Sequence, residues 1–329
     1  MIKVFSGLIL TGLFCLTTPA QAEIKLGASP LATYIDNEGE PARLNSIVTE
    51  AFRRMDTDVT LQVMRRAFLG GALTTGQLNG EYAFISLDDK QSNALYSTPY
   101  LPLYLYAASK RPAVKEIKLL PQLQDSRIAI ENRFANTTQI RAVREVKWSR
   151  TPTTFDAFKQ FADDRTPLLM TSALLIDEFN LLLLADNEEL VSRSADALIT
   201  SGFHLMLAED TAANRGLIST FNDTISQMQS DGTYNTLLGK SWLSKDINND
   251  GIADYITSES VFHNTTPPSA ATAYPLDSTR PAAASVYMID GNRYDNWQDA
   301  VNALQALTPA ATQLSLLDAD IYKKIIRQW

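Results

Sequence analysis

A run of acidic and amide side chains near the C-terminal end of the chain has the spacing of a calcium loop. The segment reads Asp-Ile-Asn-Asn-Asp-Gly-Ile-Ala-Asp. Alternate oxygens at this spacing can wrap one hard cation, and the glycine allows the sharp turn that the loop needs. The predicted ligands are the side chains of Asp246, Asn248, Asp250 and Asp254 and the backbone carbonyl of Ile252.

The end of this loop decides which kind of calcium site is expected. A full EF-hand loop has a glutamate at its twelfth position. This chain has Thr257 there, and Glu259 follows two residues later. The pattern therefore predicts a short, structural Ca²⁺ site. The alternative is an Asx-rich turn without metal, because Asp and Asn side chains also stabilise turns.

Residues that could carry out catalysis are scarce. The chain has two histidines and one cysteine: His204 lies in an apolar predicted strand, His263 in a predicted linker, and Cys15 near the N-terminus. The sequence contains no nucleophile elbow, zinc-protease motif or phosphate-binding loop. We therefore predict a protein that is not an enzyme.

One segment joins a polar loop to two predicted strands and bears on ligand binding. It comprises a short strand (Tyr82 to Ser86), a polar loop, Ser97-Thr98-Pro99-Tyr100, and a long apolar strand (Leu101 to Ser109). In open α/β sheets, ligands bind where strands end. Together with the later Asp231-Gly-Thr-Tyr and Lys-Ser-Trp242, this layout resembles the extracytoplasmic solute-binding proteins of bacterial family 3, the amino-acid type.

The resemblance covers about residues 23–243 and implies a periplasmic-binding-protein-like α/β fold of type II. In such a fold two α/β lobes are joined by two hinge strands and close over a ligand. The predicted β-α-β-α-β order at the start of the chain agrees, because it implies a mostly parallel sheet covered by helices. We assign residues 23–110 and 203–243 to lobe 1 and residues 111–202 to lobe 2.

The remaining residues do not belong to that pattern. We expect the calcium loop at 244–257, a linker rich in Ser, Thr, Pro and Ala at 258–284, and a small C-terminal α/β extension at 285–329. The extension predicts a β-α-β-α order, with its second strand at Gln313 to Leu316. A piece this short buries little surface alone, so we expect it to dock on the main body or on a partner.

In lobe 1 the resemblance implies ligand contacts in two loops. The carboxylate-binding arginine of the family corresponds to Lys90, which keeps the charge but lacks the planar guanidinium. The alternative for Lys90 is a solvated side chain paired with one of the two preceding aspartates. The family's loop threonine is replaced by Ser86 or Leu87. Tyr34 either lines the cleft as an aromatic wall or packs in the core.

In lobe 2 the family uses a Gly-Ser/Thr turn at a helix N-terminus, where free amides attract an anion. Thr137 and Thr138 stand at the matching place, and plain helix capping is the alternative. Arg133 could substitute for the missing arginine of lobe 1. The ammonium-binding aspartate of the family would fall in the segment ending at Ser172, which has no acid, and Ser172 is the ligand-binding residue predicted there. Both charged contacts for a free amino acid are therefore altered.

The N-terminus and the net charge bear on location and partners. Residues 1–22 combine Lys3, an apolar run and Ala20-Gln-Ala22, which predicts a cleavable secretory signal. Phe14 before Cys15 argues against a lipid anchor. The formal net charge of −8 disfavours nucleic acid and anionic lipid as partners. We predict a periplasmic protein without membrane insertion after signal cleavage.

The predicted function is capture of a small polar ligand, amino-acid-like or another small anion, for a membrane permease. The alternative is a solute-binding-like sensory or accessory protein of the cell envelope that acts through a membrane receptor. The altered cleft and the C-terminal extension both favour this alternative.

Overall fold

The computed structural model describes residues 23–36, 39, 42–261, 266–307 and 313–329. The predicted signal at 1–22 and the linker histidine, His263, lie outside the described residues. Within the described ranges, no helix is long and apolar enough to cross a membrane.

The first lobe starts as alternating strands and helices. Its elements are β1 (Ile24–Ala28), α1 (Arg43–Arg54), β2 (Val59–Val63), α2 (Arg66–Thr74), β3 (Gly80–Ile85) and β4 (Leu95–Tyr96). Helix α1 forms because Leu44, Ile47, Val48 and Ala51 recur at helical spacing and become buried on one face.

A long strand, β5 (Leu101–Ser109), leads into the second lobe. That lobe contains two short 3₁₀ turns and then β6 (Arg127–Glu131), α3 (Asn132–Ala135), α4 (Thr138–Ala142), β7 (Lys147–Thr151), α5 (Thr154–Ala162), β8 (Leu168–Ser172), α6 (Ala173–Ala185) and β9 (Ser192–Arg193). Strand β10 (Ile199–Leu207) returns to lobe 1, where α7 (Ala212–Ser230) and α8 (Thr233–Leu238) follow. Gly232, at φ +82°, makes the break between these two helices.

One continuous sheet runs through both lobes in the order β2-β1-β3-β10-β5-β8-β6-β7. The outer strands of each lobe are parallel to one another. The two long strands, β5 and β10, pair antiparallel in the middle. The first half of β10 pairs with β5 and the second half with β3, so these two strands connect the lobes as the hinge strands were predicted to do.

A second sheet, in the order β13-β11-β12-β14-β15, follows the lobes. Its strands are β11 (Leu243–Lys245), β12 (Asp254–Thr257), β13 (Tyr274–Pro275), β14 (Tyr287–Ile289) and β15 (Asn292–Tyr294), with helices α9 (Trp297–Gln305) and α10 (Ala319–Ile326) after them. The predicted linker thus supplies a strand, and the strands of the predicted extension pair with the hairpin that carries the calcium loop.

The C-terminal extension differs from its predicted β-α-β-α order. Asp290 and Gly291, both at positive φ, form a two-residue hairpin that joins β14 to β15. The predicted strand at Gln313 to Leu316 is not a strand, because the amide of Leu316 donates to a glutamate side chain, Glu178 of lobe 2. Helix α10 packs on α5 and α6 of lobe 2, so docking on the main body is confirmed.

Candidate functional site

A cavity of about 820 Å³ lies between the two lobes. Four of its walls are formed by the residues that follow the carboxyl ends of strands β1, β2, β6 and β7. Parallel sheets bind ligands at this edge. Residues Leu316 to Tyr322 of the C-terminal segment form a further wall. The cavity therefore combines both lobes with a part of the chain that lies outside the lobes.

Arg133, on α3, lines this cavity, and not all nitrogens of its guanidinium are hydrogen-bonded. Its side chain is 4% exposed. Nη2 donates to the carbonyl of Ala83 at 2.7 Å and lies 3.3 Å from Oε1 of Glu81. Within the described residues, Nε and Nη1 are buried without any hydrogen-bond partner. Such buried, unpaired donors are costly and usually mark a place for an ion or a water molecule.

Glu131, two residues before Arg133, is the buried acid of the same wall. Its carboxyl accepts a hydrogen bond from Thr154 Oγ1. Burial raises the pKa of Glu131 to about 7, and the Thr154 hydrogen bond opposes that shift. Near neutral pH this carboxyl is therefore partly protonated.

Tyr34 and Ser172, two of the predicted ligand residues, bind each other across the two lobes. The Tyr34 hydroxyl donates to Ser172 Oγ at 2.8 Å, which joins the loop after β1 to the start of α6. Ser172 Oγ also caps α6 by accepting from the amide of Leu175. The Tyr34 ring packs 5.4 Å from the Phe203 ring and is 1% exposed. Tyr34 is thus a core residue of the lobe junction, and neither residue lines the cavity.

The two threonines at the start of α4 also lie outside the cavity lining. Thr137 is fully buried and donates to the carbonyl of Phe134 at 2.7 Å. Thr138 is exposed and donates to Asp89 of lobe 1 at 3.1 Å. The predicted anion-binding turn therefore does not face the cavity, and Thr138 instead bonds the two lobes together.

Lys90 lies on the surface, outside the cavity lining. Its Nζ stands 5.0 Å from the centre of the Tyr96 ring, a cation–π contact. Ser86 lies at the hinge, where its Oγ accepts from the amide of Gly202 at 3.2 Å. The structure thus places neither of these predicted lobe 1 ligands at the cavity.

Sequence reasoning missed a buried ion pair at the lobe junction. Arg43, the first residue of α1, pairs with Glu178 of α6, and both side chains are almost fully buried. Arg43 also donates to the carbonyl of Leu238 at 2.8 Å and to Thr33 Oγ1 at 2.9 Å. Thr33 has a left-handed backbone at φ +63°, a strained conformation for a β-branched residue. The available signal was Glu178 itself, an acid inside an apolar helix.

The predicted calcium loop forms the turn between β11 and β12. Asp246 accepts from the amides of Asp250 and Gly251, and Asp250 accepts from the amide of Ile252. Asp254 is buried and accepts from the amides of Ile247 and Val286. Over the described part of the chain, no group of three or more His, Cys, Asp or Glu side chains gathers as metal ligands would. The loop as it stands fits the Asx-rich turn, and calcium stays a prediction.

Comparison with known proteins gives structural matches only. No family model and no curated protein matches the chain. The GluR0 ligand-binding core in complex with L-glutamate matches with a TM-score of 0.55 at 8% identity, over 67% of this chain and 97% of that chain. This chain shares the two-lobed α/β fold of that ligand-binding core.

Two further structures support this fold class. The VFT2 domain of Bordetella pertussis BvgS matches with a TM-score of 0.51 at 13% identity, over 66% of this chain and 91% of that chain. A mutant of ArgBP from T. maritima matches with a TM-score of 0.50 at 15% identity, over 66% of this chain and 93% of that chain. At these identities the likeness shows the fold alone. The predicted two-lobed α/β architecture is thereby confirmed.

Proposed function

We propose that this protein captures a small anionic solute in the cavity between its lobes and passes it to a membrane permease. The observation that carries the proposal is Arg133, a buried cation on the cavity wall with two unpartnered nitrogens. A guanidinium offers five N–H donors and no acceptor. A carboxylate or another oxyanion is therefore the ligand chemistry that suits the free donors. The two-lobed fold, which GluR0 uses to bind L-glutamate, supports the same function.

A thermal-shift screen with calorimetry tests solute capture. The panel contains free amino acids and small mono- and dicarboxylates. We expect at least one anion to raise the melting temperature, and Arg133→Gln to weaken its binding by about tenfold or more, because hydrogen bonds to charged groups are strong. Arg141→Gln is the matched control, since Arg141 is exposed on α4 and outside the cavity lining. Equal loss in both variants would contradict a site at Arg133.

The second candidate is a sensory or accessory protein of the cell envelope. The observation that favours it is the set of direct bonds between the lobes, which include Tyr34 to Ser172 and Arg43 to Glu178. A molecule whose lobes are bonded to each other can present one fixed surface to a membrane receptor. Deleting the gene separates the two candidates: transport predicts lost uptake of the bound solute, and the accessory role predicts uptake that is unchanged.

The proposed location is the periplasm, reached through the predicted signal at residues 1–22 without a lipid anchor. The formal net charge of −8 supports partners other than nucleic acid and anionic membrane surfaces. The structural Ca²⁺ site at Asp246, Asn248, Asp250, Ile252 and Asp254 is proposed on the sequence pattern, and its test follows in the Discussion.

A further inference from the structure

The C-terminal segment is fixed in place as a wall of the cavity. The amide of Leu316 donates to Glu178 Oε2 at 2.6 Å, and Ser315 Oγ donates to the same oxygen at 3.0 Å. Further along, the Tyr322 ring packs edge-on against Phe155 at 5.4 Å and against Phe158 at 6.0 Å. Hydrogen bonds at one end and aromatic packing at the other hold this segment against lobe 2.

The wall that this segment contributes is mostly apolar. Leu316, Leu317, Ile321 and Tyr322 all line the cavity. Ile321 is 54% exposed, which is unusual for a large aliphatic side chain on a docked helix. Across the cavity, Leu31 and other apolar side chains of lobe 1 continue this surface. A ligand with an apolar body would cover Ile321 and gain from leaving water.

The cavity offers more room than a free amino acid fills. Pockets of about 300–1000 Å³ enclose drug-sized molecules, and this one has about 820 Å³. A free amino acid would also bring an ammonium group. The segment where the resembling family has its ammonium-binding aspartate ends here at Ser172, whose Oγ accepts a hydrogen bond from Tyr34. The cavity thus has room for a larger molecule, and the two unpartnered nitrogens of Arg133 leave donors for one anionic group.

We propose that the ligand is an amphiphilic organic anion, with its oxyanion at Arg133 and its apolar body against Leu317, Ile321 and Tyr322 of the C-terminal segment. This inference rests on the proposed function and names the chemical class of its solute. It also gives the C-terminal extension a role, because residues far from the lobes in sequence then select the ligand by its apolar part.

A series of straight-chain carboxylates from acetate to decanoate, kept below their micelle concentrations, provides the probe. Calorimetry on the wild-type protein should give one site, with the dissociation constant falling about fourfold for each added methylene until the cavity is filled. The experiment is run below the pKa of Glu131, so that its carboxyl does not repel the anion.

Two variants test the two ends of the ligand separately. Ile321→Ser should reduce the gain in affinity per methylene and leave the affinity for acetate unchanged. Leu314→Ser should change neither, because Leu314 is 81% exposed and outside the cavity lining. Arg133→Gln should weaken every member by about tenfold or more. Arg133→Lys, which keeps the charge, should recover part of that loss. Circular dichroism melts confirm that each variant is folded.

Three outcomes would overturn the inference. If acetate and decanoate bind equally and Arg133→Gln weakens both, capture of an anion stands and the apolar body is refuted. If chain length matters but neither Ile321→Ser nor Arg133→Gln changes it, the carboxylates bind elsewhere and the inference fails. If neither these acids nor the amino acids show saturable binding, the proposed function fails together with the inference.

Discussion

Glu131 ends β6 with its carboxyl buried beneath Thr154 of α5 and near Tyr322 of α10. Burial raises its pKa from 4.5 to about 7, and Asp156 adds a smaller upward contribution. The folded protein therefore binds this proton more tightly than the unfolded chain does. The resulting stability is present in full below pH about 4.5 and is lost as the pH rises to about 7.

Replacing Glu131 with Gln should remove this pH dependence. Gln resembles the protonated acid and does not titrate. In the wild type, the free energy of unfolding should fall by about 3 kcal/mol as the pH rises between the two pKa values of Glu131, and in Glu131→Gln this fall should be absent. Urea unfolding at a series of pH values measures this change. Glu188→Gln, in an exposed loop, should keep the wild-type slope. An unchanged slope in Glu131→Gln would show that the carboxyl is not buried as described.

The ion pair between Arg43 and Glu178 should be costly to break. Both side chains are at most 1% exposed, and Glu178→Gln leaves a buried guanidinium without a counter-charge. We expect the free energy of unfolding to fall by about 3–5 kcal/mol. The control is Asp295→Asn in the exposed pair with Arg293, which should cost less than about 1 kcal/mol. Similar small losses in both variants would contradict the buried pair.

Among single residues, the resemblance named Arg133, Tyr34 and Ser172 as candidate ligand contacts, but it could not give the residues that they bond to. Tyr34 and Ser172 are 138 positions apart. Whether a tyrosine in a strand-end loop faces ligand or core depends on what the opposite lobe presents there. Lys90 also fell outside the cavity, and its ammonium lies over the Tyr96 ring.

At the scale of elements, the turn between β11 and β12 carries the calcium prediction. Adding Ca²⁺ should raise the melting temperature, and a chelator should lower it, because a ligand that binds only the folded state stabilises it. Asp246→Asn should abolish the shift, and Asp210→Asn, in an exposed loop before α7, should preserve it. Identical melts with and without Ca²⁺ would leave the loop as a hydrogen-bonded turn, which is how its carboxylates bond in the structure.

Most strands and helices of the two lobes followed from local pattern. Helical spacing of apolar residues predicts α1, because one face of that helix is buried. A continuous apolar run predicts β5, because that strand is buried on both sides. The C-terminal strands were harder to predict. Three-residue strands such as β14 and β15 leave little periodicity. The Asp290-Gly291 dipeptide was the hairpin signal that could have located them.

At the scale of the whole molecule, bonds between protein atoms hold the lobes together. Tyr34 binds Ser172, and Arg43 binds Glu178. The backbone N–H of Gln139 in lobe 2 donates to the backbone carbonyl of Leu87 in lobe 1. Intramolecular hydrogen bonds contribute about 1 kcal/mol each. Three such bonds are enough to keep a two-state equilibrium near 99:1, which corresponds to about 2.7 kcal/mol.

Spin labels on the two lobes should therefore report one distance in buffer alone. Lys159→Cys on α5 and Ser219→Cys on α7 provide suitable attachment points, because both positions are exposed and belong to different lobes. We expect a single narrow distribution by double electron–electron resonance, unchanged by any anion that binds at Arg133. Combining Tyr34→Phe with Glu178→Gln should broaden it, since both interlobe bonds are then weakened. Two distances in buffer that merge when an anion is added would instead show a hinge that closes on its solute.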